Sequence, residues 1–159
     1  MSRKEEIIAG LIAARGKILE VAEALPANKR DEVFLGVWSL KDLLAHLVGW
    51  DYTNIEAVED IRRGEAPAVF QHWDPDWVAY NARLVAEHKR EDFAELLGAM
   101  RQSQQTLIDF IRTVPSDDIE KDFGVRSPSE TNITVEWFLQ FEIDDEGRHY
   151  QQIKDWLQG

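Results

Sequence analysis

The feature that most constrains this chain is the spacing of its apolar residues. In four separate stretches they recur three and four positions apart, as on one face of an α-helix, and no convincing stretch alternates apolar and polar residues as a strand does. The first stripe comprises Ile7, Ile8, Leu11, Ile12, Ile18, Leu19 and Ala22. The pattern predicts an all-α protein.

Local signals set the limits of the four predicted helical regions. These regions run from Ser2 to about Pro26, from Ser39 to about Gly64, from Asp74-Pro75 to about Thr113, and from Thr134 almost to the C-terminus. Ser2 with Glu5 has capping-box spacing, and Ser39 with Asp42 resembles another cap. The third region is expected to break near Glu91-Asp92.

Two long connections, 62–74 and 114–133, separate these regions. Such connections suit a four-helix bundle in which neighbours in space need not be neighbours in sequence. The 159 residues fit one ordinary domain, with little room for a second. We therefore predict a four-helix bundle with long crossover connections, forming a single domain over 1–159.

The charge balance bears on the partners of the chain. Thirty Asp and Glu residues against 18 Lys and Arg residues give a formal net charge of −12. Such a charge repels the phosphate backbone and anionic membrane surfaces over most of the protein. We therefore expect no nucleic acid and no membrane as partner, and a small molecule as the ligand or substrate.

The chain contains no cysteine. This excludes disulfides, thiolate-bound zinc and a catalytic thiol within the chain, so any thiol chemistry must use a thiol from outside. The N-terminal segment alternates charged and apolar residues and has no continuous apolar run, so it predicts neither a signal peptide nor a membrane span. A cytoplasmic location is the expectation.

The last predicted helix carries an interruption in its apolar stripe. The stripe through Phe138 and Phe141 continues at Glu142, Asp145 and His149 before apolar residues resume. Asp145 and His149 are four positions apart, so their side chains lie one helical turn apart on the same face. A core face that turns polar for two turns indicates a site.

The second helix has a matching polar residue. His46 lies within an apolar segment, with Leu43 and Trp50 one turn away and Leu47 next to it in the chain. Burying a polar group without a partner costs a few kcal/mol, so polar residues facing one another from two core stripes must satisfy each other or hold a metal ion.

Two imidazoles and one carboxylate would leave coordination positions open, as catalytic metal sites do. The predicted ligands are His46, Asp145 and His149, and the predicted cofactor is a divalent transition metal, either zinc, nickel, manganese or iron. Glu142 and Asp51 are weaker candidates for moving a proton or orienting a ligand.

Structural explanations of the same residues stay open at this point. A single histidine in an apolar helix is more often a core residue bonded to a carbonyl, and Asp and His four positions apart on a helix are frequently a surface pair.

Several common enzyme motifs are absent from the sequence. It has no phosphate-binding glycine loop, no serine-hydrolase elbow and no zinc-protease motif.

The sequence resembles the DinB-like superfamily. The likeness rests on a tryptophan before the second helix, a W-S-x-K-D-L-L-A-H-L-x-x-W segment and a histidine motif in the final helix. In this chain that segment comprises Trp38, Ser39, Lys41, Asp42, Leu43, Leu44, Ala45, His46, Leu47 and Trp50. Asn81-Ala82-Arg83 and the ITVEWF opening of the last helix extend the likeness over most of the chain.

The resemblance implies a four-helix bundle with a divalent metal held by three histidines, one in helix two and two spaced H-x-x-x-H in helix four. His46 and His149 match the first and last, whereas Asp145 stands where the pattern has its middle histidine. The resemblance therefore implies either a His-Asp-His site or a degraded one. Members are often dimeric, so a homodimer is an option that the resemblance alone raises.

Characterised members include thiol-dependent S-transferases, a thiol-using maleylpyruvate isomerase and a branch that hydrolyses a reactive toxin. The resemblance thus implies a metal-dependent hydrolase or thiol S-transferase that activates water or a low-molecular-weight thiol for attack on a small electrophile. Two alternatives remain: a non-catalytic binding or sequestration protein, and a stress-related structural module with a degenerate metal site.

Overall fold

The computed structural model describes residues 1–72 and 76–159. Within these ranges it contains five α-helices and one two-stranded hairpin, so the predicted all-α class is confirmed. The elements are α1 (Arg3–Glu23), β1 (Val33–Leu35), β2 (Trp38–Ser39), α2 (Leu40–Arg62), α3 (Trp77–His88), α4 (Phe93–Thr113) and α5 (Val135–Gln158). Short 3-10 helices at Ala27–Lys29, Ala68–His72 and Ser116–Asp118 lie in the connections.

The predicted helix starts agree with hydrogen-bonded caps. At α1 the Glu5 backbone N–H donates to Ser2 Oγ at 3.2 Å, and the Ser2 N–H donates to the Glu5 carboxylate at 2.8 Å. Ser39 and Asp42 form the same reciprocal pair at α2, and Thr134 caps α5. These bonds satisfy backbone groups that have no partner in the first helical turn.

The third helical region is divided into two helices. After α3 ends, Asp92 caps α4 by accepting a hydrogen bond from the Glu95 N–H at 3.0 Å. The predicted break near Glu91-Asp92 is therefore confirmed, whereas the predicted start at Asp74-Pro75 lies outside the described residues. Helices α1, α2, α4 and α5 form the bundle, and α3 packs against α2.

The hairpin before α2 is a difference from the sequence prediction, which had no strand. Its strands are three and two residues long, too short to establish an alternating pattern. A two-residue turn joins them, and Gly36 adopts a positive φ of 61° there, which a side chain would disfavour. The hairpin brings Trp38 to the start of α2.

The interior of the bundle consists of two apolar clusters. One contains Ile7 and Leu11 of α1 with the C-terminal half of α2, and the other contains Ile18 and Ala22 of α1 with the N-terminal half of α2. Polar side chains lie between the two clusters along all four bundle helices. The buried members are Arg15, Asp51, Ser103, Gln104, Glu142 and Glu146. We call this set the polar layer.

The long connection predicted at 114–133 holds a single 3-10 turn and one isolated bridge between Arg126 and Asn132. Among the described helices, none combines the length and the apolar character needed to cross a bilayer.

Candidate metal centre and its cavity

The structure brings together the three predicted metal ligands. His46 of α2 faces Asp145 and His149 of α5, and one potential ligand atom from each lies within 4.8 Å of the other two. His149 Nε2 is 3.2 Å from Asp145 Oδ2, close to the spacing of about 3.3 Å between ligands of a tetrahedral zinc ion. The three side chains therefore converge in the structure, as the helical spacing of Asp145 and His149 predicted.

The surroundings of each ligand orient it. His149 Nδ1–H donates to Gln152 Oε1 at 2.8 Å, which leaves Nε2 on the side of Asp145. Histidines that bind metals commonly donate their other ring N–H in this way. His46 is only 4% exposed, and its Nδ1 has no hydrogen-bond partner among the described residues. An unsatisfied buried imidazole nitrogen fits a ligand role, because leaving it unpaired costs free energy.

The two histidines differ in how readily they accept a proton. Burial, together with the nearby His149, lowers the pKa of His46 to about 3. Burial opposes protonation of His149 as well, but the hydrogen bond and the charge of Asp145 raise its pKa above the ordinary value. In turn, burial opposes the charge of Asp145, but its hydrogen bonds to His149 and Arg148 and their charges together lower its pKa below the ordinary value. His46 is therefore ready to bind a cation at neutral pH.

A cavity of about 200 Å³ adjoins the cluster. The cluster and Glu142 supply the polar part of its lining, which we call the polar end. Among the described residues, four aromatic side chains and one amide supply the rest of the lining, and we call this part the aromatic end. Its members are Trp38, Trp50, Trp77, Phe141 and Asn81.

Asn81 holds the aromatic end in place. Its Oδ1 accepts the indole N–H of Trp50 at 3.0 Å, and its Nδ2 donates to the carbonyl oxygen of Trp77 at 3.1 Å. The rings of Trp50 and Trp77 are 5.3 Å apart, and the ring of Trp38 lies 4.9 Å from that of His46. The aromatic wall is thus fixed directly beside His46, one of the predicted metal ligands.

Glu142, a weaker candidate from the sequence, lines the cavity. It is 3% exposed, and its Oε1 has no hydrogen-bond partner among the described residues. Burial and the neighbouring charges of Glu146 and Asp145 raise its pKa well above the ordinary value. Glu142 can therefore hold a proton next to the cluster at a pH where most glutamates are ionised.

Asp51, the other weaker candidate, lies in the polar layer and is absent from the cavity lining. Both of its carboxylate oxygens accept hydrogen bonds from Arg15, at 2.9 and 3.1 Å, and Ser103 donates to Oδ2. Arg15 also pairs with Glu146 and donates to the carbonyl oxygen of Met100. This network connects all four bundle helices behind the cluster.

Arg15 and Glu146 are site residues that the sequence analysis missed. Arg15 is 1% exposed, although arginine on a helix usually reaches solvent. Burial opposes its charge, but the charges of Glu146 and Asp51 raise its pKa above the ordinary value. One feature of the sequence could have predicted its burial, because Arg15 lies on the first apolar stripe, four residues after Leu11 and three before Ile18. Glu146 likewise follows Glu142 by one turn.

Asp42, His72 and His88 each have a structural partner. Asp42 is a helix cap, as predicted. His72 stacks on Tyr80 at 4.9 Å beside a second cavity, and His88 stacks on Tyr52 at 5.7 Å near the end of α3. None of these residues belongs to the cluster within the described ranges.

Comparison with known proteins identifies the family. The model of the DinB superfamily matches residues 11–153, which is most of the chain. The chain belongs to the DinB superfamily. The resemblance inferred from the sequence is therefore confirmed. Proteins of the DinB superfamily are commonly metal-binding, in agreement with the presence of a His-Asp-His group that could hold an ion.

Solved structures share this DinB-like fold at low sequence identity. A protein from Streptococcus pneumoniae has a TM-score of 0.76 at 16% identity, covering 99% of this chain and 92% of its own. An uncharacterised protein from Escherichia coli UTI89 has a TM-score of 0.73 at 13% identity, with coverages of 98% and 92%. No curated protein sequence matches the chain significantly.

A third structure corrects one expectation. The colibactin self-resistance protein ClbS, crystallised in complex with double-stranded DNA, has a TM-score of 0.74 at 17% identity, covering 97% of this chain and 94% of its own. The exclusion of nucleic acid as a partner was therefore wrong. Its physical basis was insufficient, because a net charge of −12 sums over the whole surface and does not describe any one patch.

Proposed function

We propose that this DinB-superfamily protein is a metal-dependent enzyme. In this proposal His46, Asp145 and His149 hold a divalent transition metal, namely zinc, nickel, manganese or iron. The observation that supports it is the convergence of their ligand atoms within 4.8 Å at the polar end of the cavity. The unpaired Nδ1 of His46 supports it further, since a structural histidine would have found a partner.

The reaction that this arrangement suits best is attack by water or a low-molecular-weight thiol on a small electrophile. A divalent ion, when bound there, lowers the pKa of such a nucleophile and polarises the electrophile. The chain has no cysteine, so the thiol would be a co-substrate. The cavity of about 200 Å³ limits the electrophile to a small molecule or to one small group of a larger molecule.

Within this proposal Glu142 has the role of proton carrier. Glu142 lines the cavity, its Oε1 has no hydrogen-bond partner among the described residues, and its raised pKa favours the protonated form. A protonated carboxyl can donate to a developing negative charge on the substrate, and the carboxylate can take the proton of the nucleophile. Asp51 acts differently, because Arg15 occupies both of its oxygens and fixes α2 relative to α1.

The metal site is tested by calorimetric titration of zinc, nickel, manganese and iron(II) into the full chain without a histidine tag. His46→Ala and His149→Ala should each weaken binding of the preferred ion by at least 100-fold. His72→Ala is the matched control, because it removes a histidine that lies outside the cluster, and it should leave the affinity unchanged. Equal affinities in all three variants would contradict the proposed site.

Catalysis is tested separately from binding. Free cysteine and 1-chloro-2,4-dinitrobenzene are incubated with the metal-loaded protein, and the remaining thiol is measured. Because the chain has no cysteine, the signal reports the co-substrate alone. Thiol consumption that depends on His149 supports the transferase reaction. Metal binding without thiol consumption and without hydrolysis of p-nitrophenyl acetate would favour a binding protein instead.

Binding to double-stranded DNA is a second candidate function, supported by one observation, the DNA complex of the similarly folded ClbS. The test is fluorescence anisotropy of a labelled duplex at low and at physiological salt. Binding that weakens steeply with salt would support phosphate contacts. A lack of binding at 50 mM salt would reject the candidate for this chain.

A further inference from the structure

The two ends of the cavity offer a substrate very different contacts. At the polar end the groups open to a ligand are His46, Asp145, His149 and Glu142. At the aromatic end the Trp50 indole N–H is bonded to Asn81, and the Asn81 amide donates one hydrogen bond to the Trp77 carbonyl. A substrate lying there meets chiefly ring surfaces.

The described residues that line the cavity include no lysine and no arginine. The three residues outside the description, 73–75, are Trp, Asp and Pro, so they add no cation either. Arg148, which contacts the cluster, is mostly exposed and already donates to Asp145 Oδ1 at 2.9 Å. A substrate carboxylate or phosphate at the aromatic end would therefore lose its hydration without gaining a counter-ion, which is costly.

The volume of the cavity limits the size of the substrate that can enter it. An apolar cavity of roughly 150 Å³ is large enough to bind benzene. The cavity of about 200 Å³ therefore has room for one ring and a small polar group beside it. Aromatic rings pack well against other rings at separations of about 4.5–7 Å, in stacked or edge-on geometry.

We propose that the substrate of this site packs a single uncharged aromatic ring against Trp38, Trp50 and Trp77, with its reacting group at the polar end. This assignment rests on the proposed function, because it names the substrate class of the same site. It excludes electrophiles whose buried part carries a carboxylate or a phosphate. Trp38, Trp50 and Trp77 are then specificity residues, and Asn81 is the residue that positions two of them.

The test uses benzamide and benzoate, which have nearly the same shape and differ in charge. Binding of each to the full chain is measured by tryptophan fluorescence and by calorimetry at pH 8 in EDTA, so that neither probe can bind through a metal ion. Benzamide should bind at least tenfold more tightly than benzoate. Trp77→Leu should weaken benzamide binding at least fivefold.

The control variant is Trp156→Leu, which removes a half-buried tryptophan that stacks on Phe34 and is absent from the cavity lining. It should leave benzamide binding unchanged. Equal binding of benzoate and benzamide, or equal effects of the two tryptophan variants, would overturn the inference. If benzoate binds and Arg148→Gln abolishes its binding, the site accepts anions through Arg148 and the inference is likewise wrong.

Failure of this inference is distinguishable from failure of the proposed function. Zinc binding by the cluster is measured in its own titration, and the benzamide experiment is free of metal. Metal binding without benzamide binding would overturn the substrate class alone. Benzamide binding by a chain that binds no metal would contradict the proposed metal-dependent enzyme, but it would still support the aromatic substrate class.

Discussion

His149 Nε2 lies 3.2 Å from Asp145 Oδ2, one helical turn away along α5, and both side chains face the buried imidazole of His46. Without a metal this contact raises the pKa of His149 and so favours its protonated form. In the proposed metal site the same two atoms would both bind the ion. A metal ion must therefore displace the proton that His149 carries on Nε2.

The pH dependence of metal affinity follows from this competition. His149 has a raised pKa, so a proton opposes metal binding below that pKa, whereas His46, with a pKa of about 3, offers no such competition above about pH 4. The logarithm of the zinc affinity should therefore rise by about one unit per pH unit up to the pKa of His149 and then level off. Competition with a zinc indicator between pH 5.5 and 8.5 measures it. A slope of two, or no slope, would contradict the assigned proton states.

Replacing Glu142 by glutamine should stabilise the chelator-treated protein at neutral pH. The pKa of Glu142 is raised in the folded state, so the folded protein binds more protons than the unfolded chain between the unfolded pKa, about 4.3, and the folded one. The contribution of Glu142 to the free energy of unfolding is therefore lost as pH rises from its unfolded pKa to its folded pKa. Glutamine does not ionise, so Glu142→Gln keeps its stability over this pH range.

Urea unfolding at several pH values measures this difference. The variant and the wild type should have similar stabilities near pH 4, and the variant should gain stability relative to the wild type as pH rises. Glu20→Gln, on the exposed face of α1, is the control and should show no such divergence. A Glu142→Gln variant that is less stable than the wild type at pH 8 would show that the carboxylate is satisfied in the folded protein.

Removing Arg15 should destabilise the fold strongly. Arg15→Met leaves Asp51 and Glu146 buried without their cation, and breaking one side of a buried ion pair costs about 3–5 kcal/mol. The matched control is Arg101→Met, which breaks an exposed pair with Glu23 and should cost about 0–1 kcal/mol. The free energy of unfolding in urea measures both, and equal losses would show that the polar layer is not held by Arg15.

Replacing either of two glycines beside the site by alanine should change the stability of the protein, and the two changes should have opposite signs. A Cβ at Gly49 would lie 2.9 Å from Leu84 Cβ, so Gly49→Ala must separate α2 from α3, and overpacking of this kind costs about 1–3 kcal/mol. A Cβ at Gly147 meets nothing within 4 Å, so Gly147→Ala should stabilise α5 by up to about 1 kcal/mol. Thermal unfolding checks both, and a stabilised Gly49→Ala variant would contradict the close packing of α2 on α3.

Some of these features are readable in the sequence because their signals are local. The caps at Ser2 and Ser39 depend on residues three positions away, and the ligand pair of α5 depends on one helical turn. His46 stood out because its one-turn neighbours are apolar. Each of these predictions needed only the geometry of a single helix.

The features that the sequence analysis missed depend on distant partners. Arg15 is paired with Glu146, 131 positions along the chain, and nothing in the first stripe indicates that a carboxylate will face it. Because arginine usually reaches solvent, Arg15 looked like an ordinary solvated residue although its position lies on the stripe. The hairpin that carries Trp38 was missed for another reason, because strands of two and three residues have no measurable period.

The most direct test of the central claim is the metal content of the full chain, purified without chelator or affinity tag, together with its melting temperature before and after EDTA. The account predicts about one equivalent of a transition metal per chain, a lower melting temperature after EDTA, and neither property in His149→Ala. Protein that contains no metal, and whose melting temperature responds neither to EDTA nor to added zinc, nickel, manganese or iron(II), would contradict it.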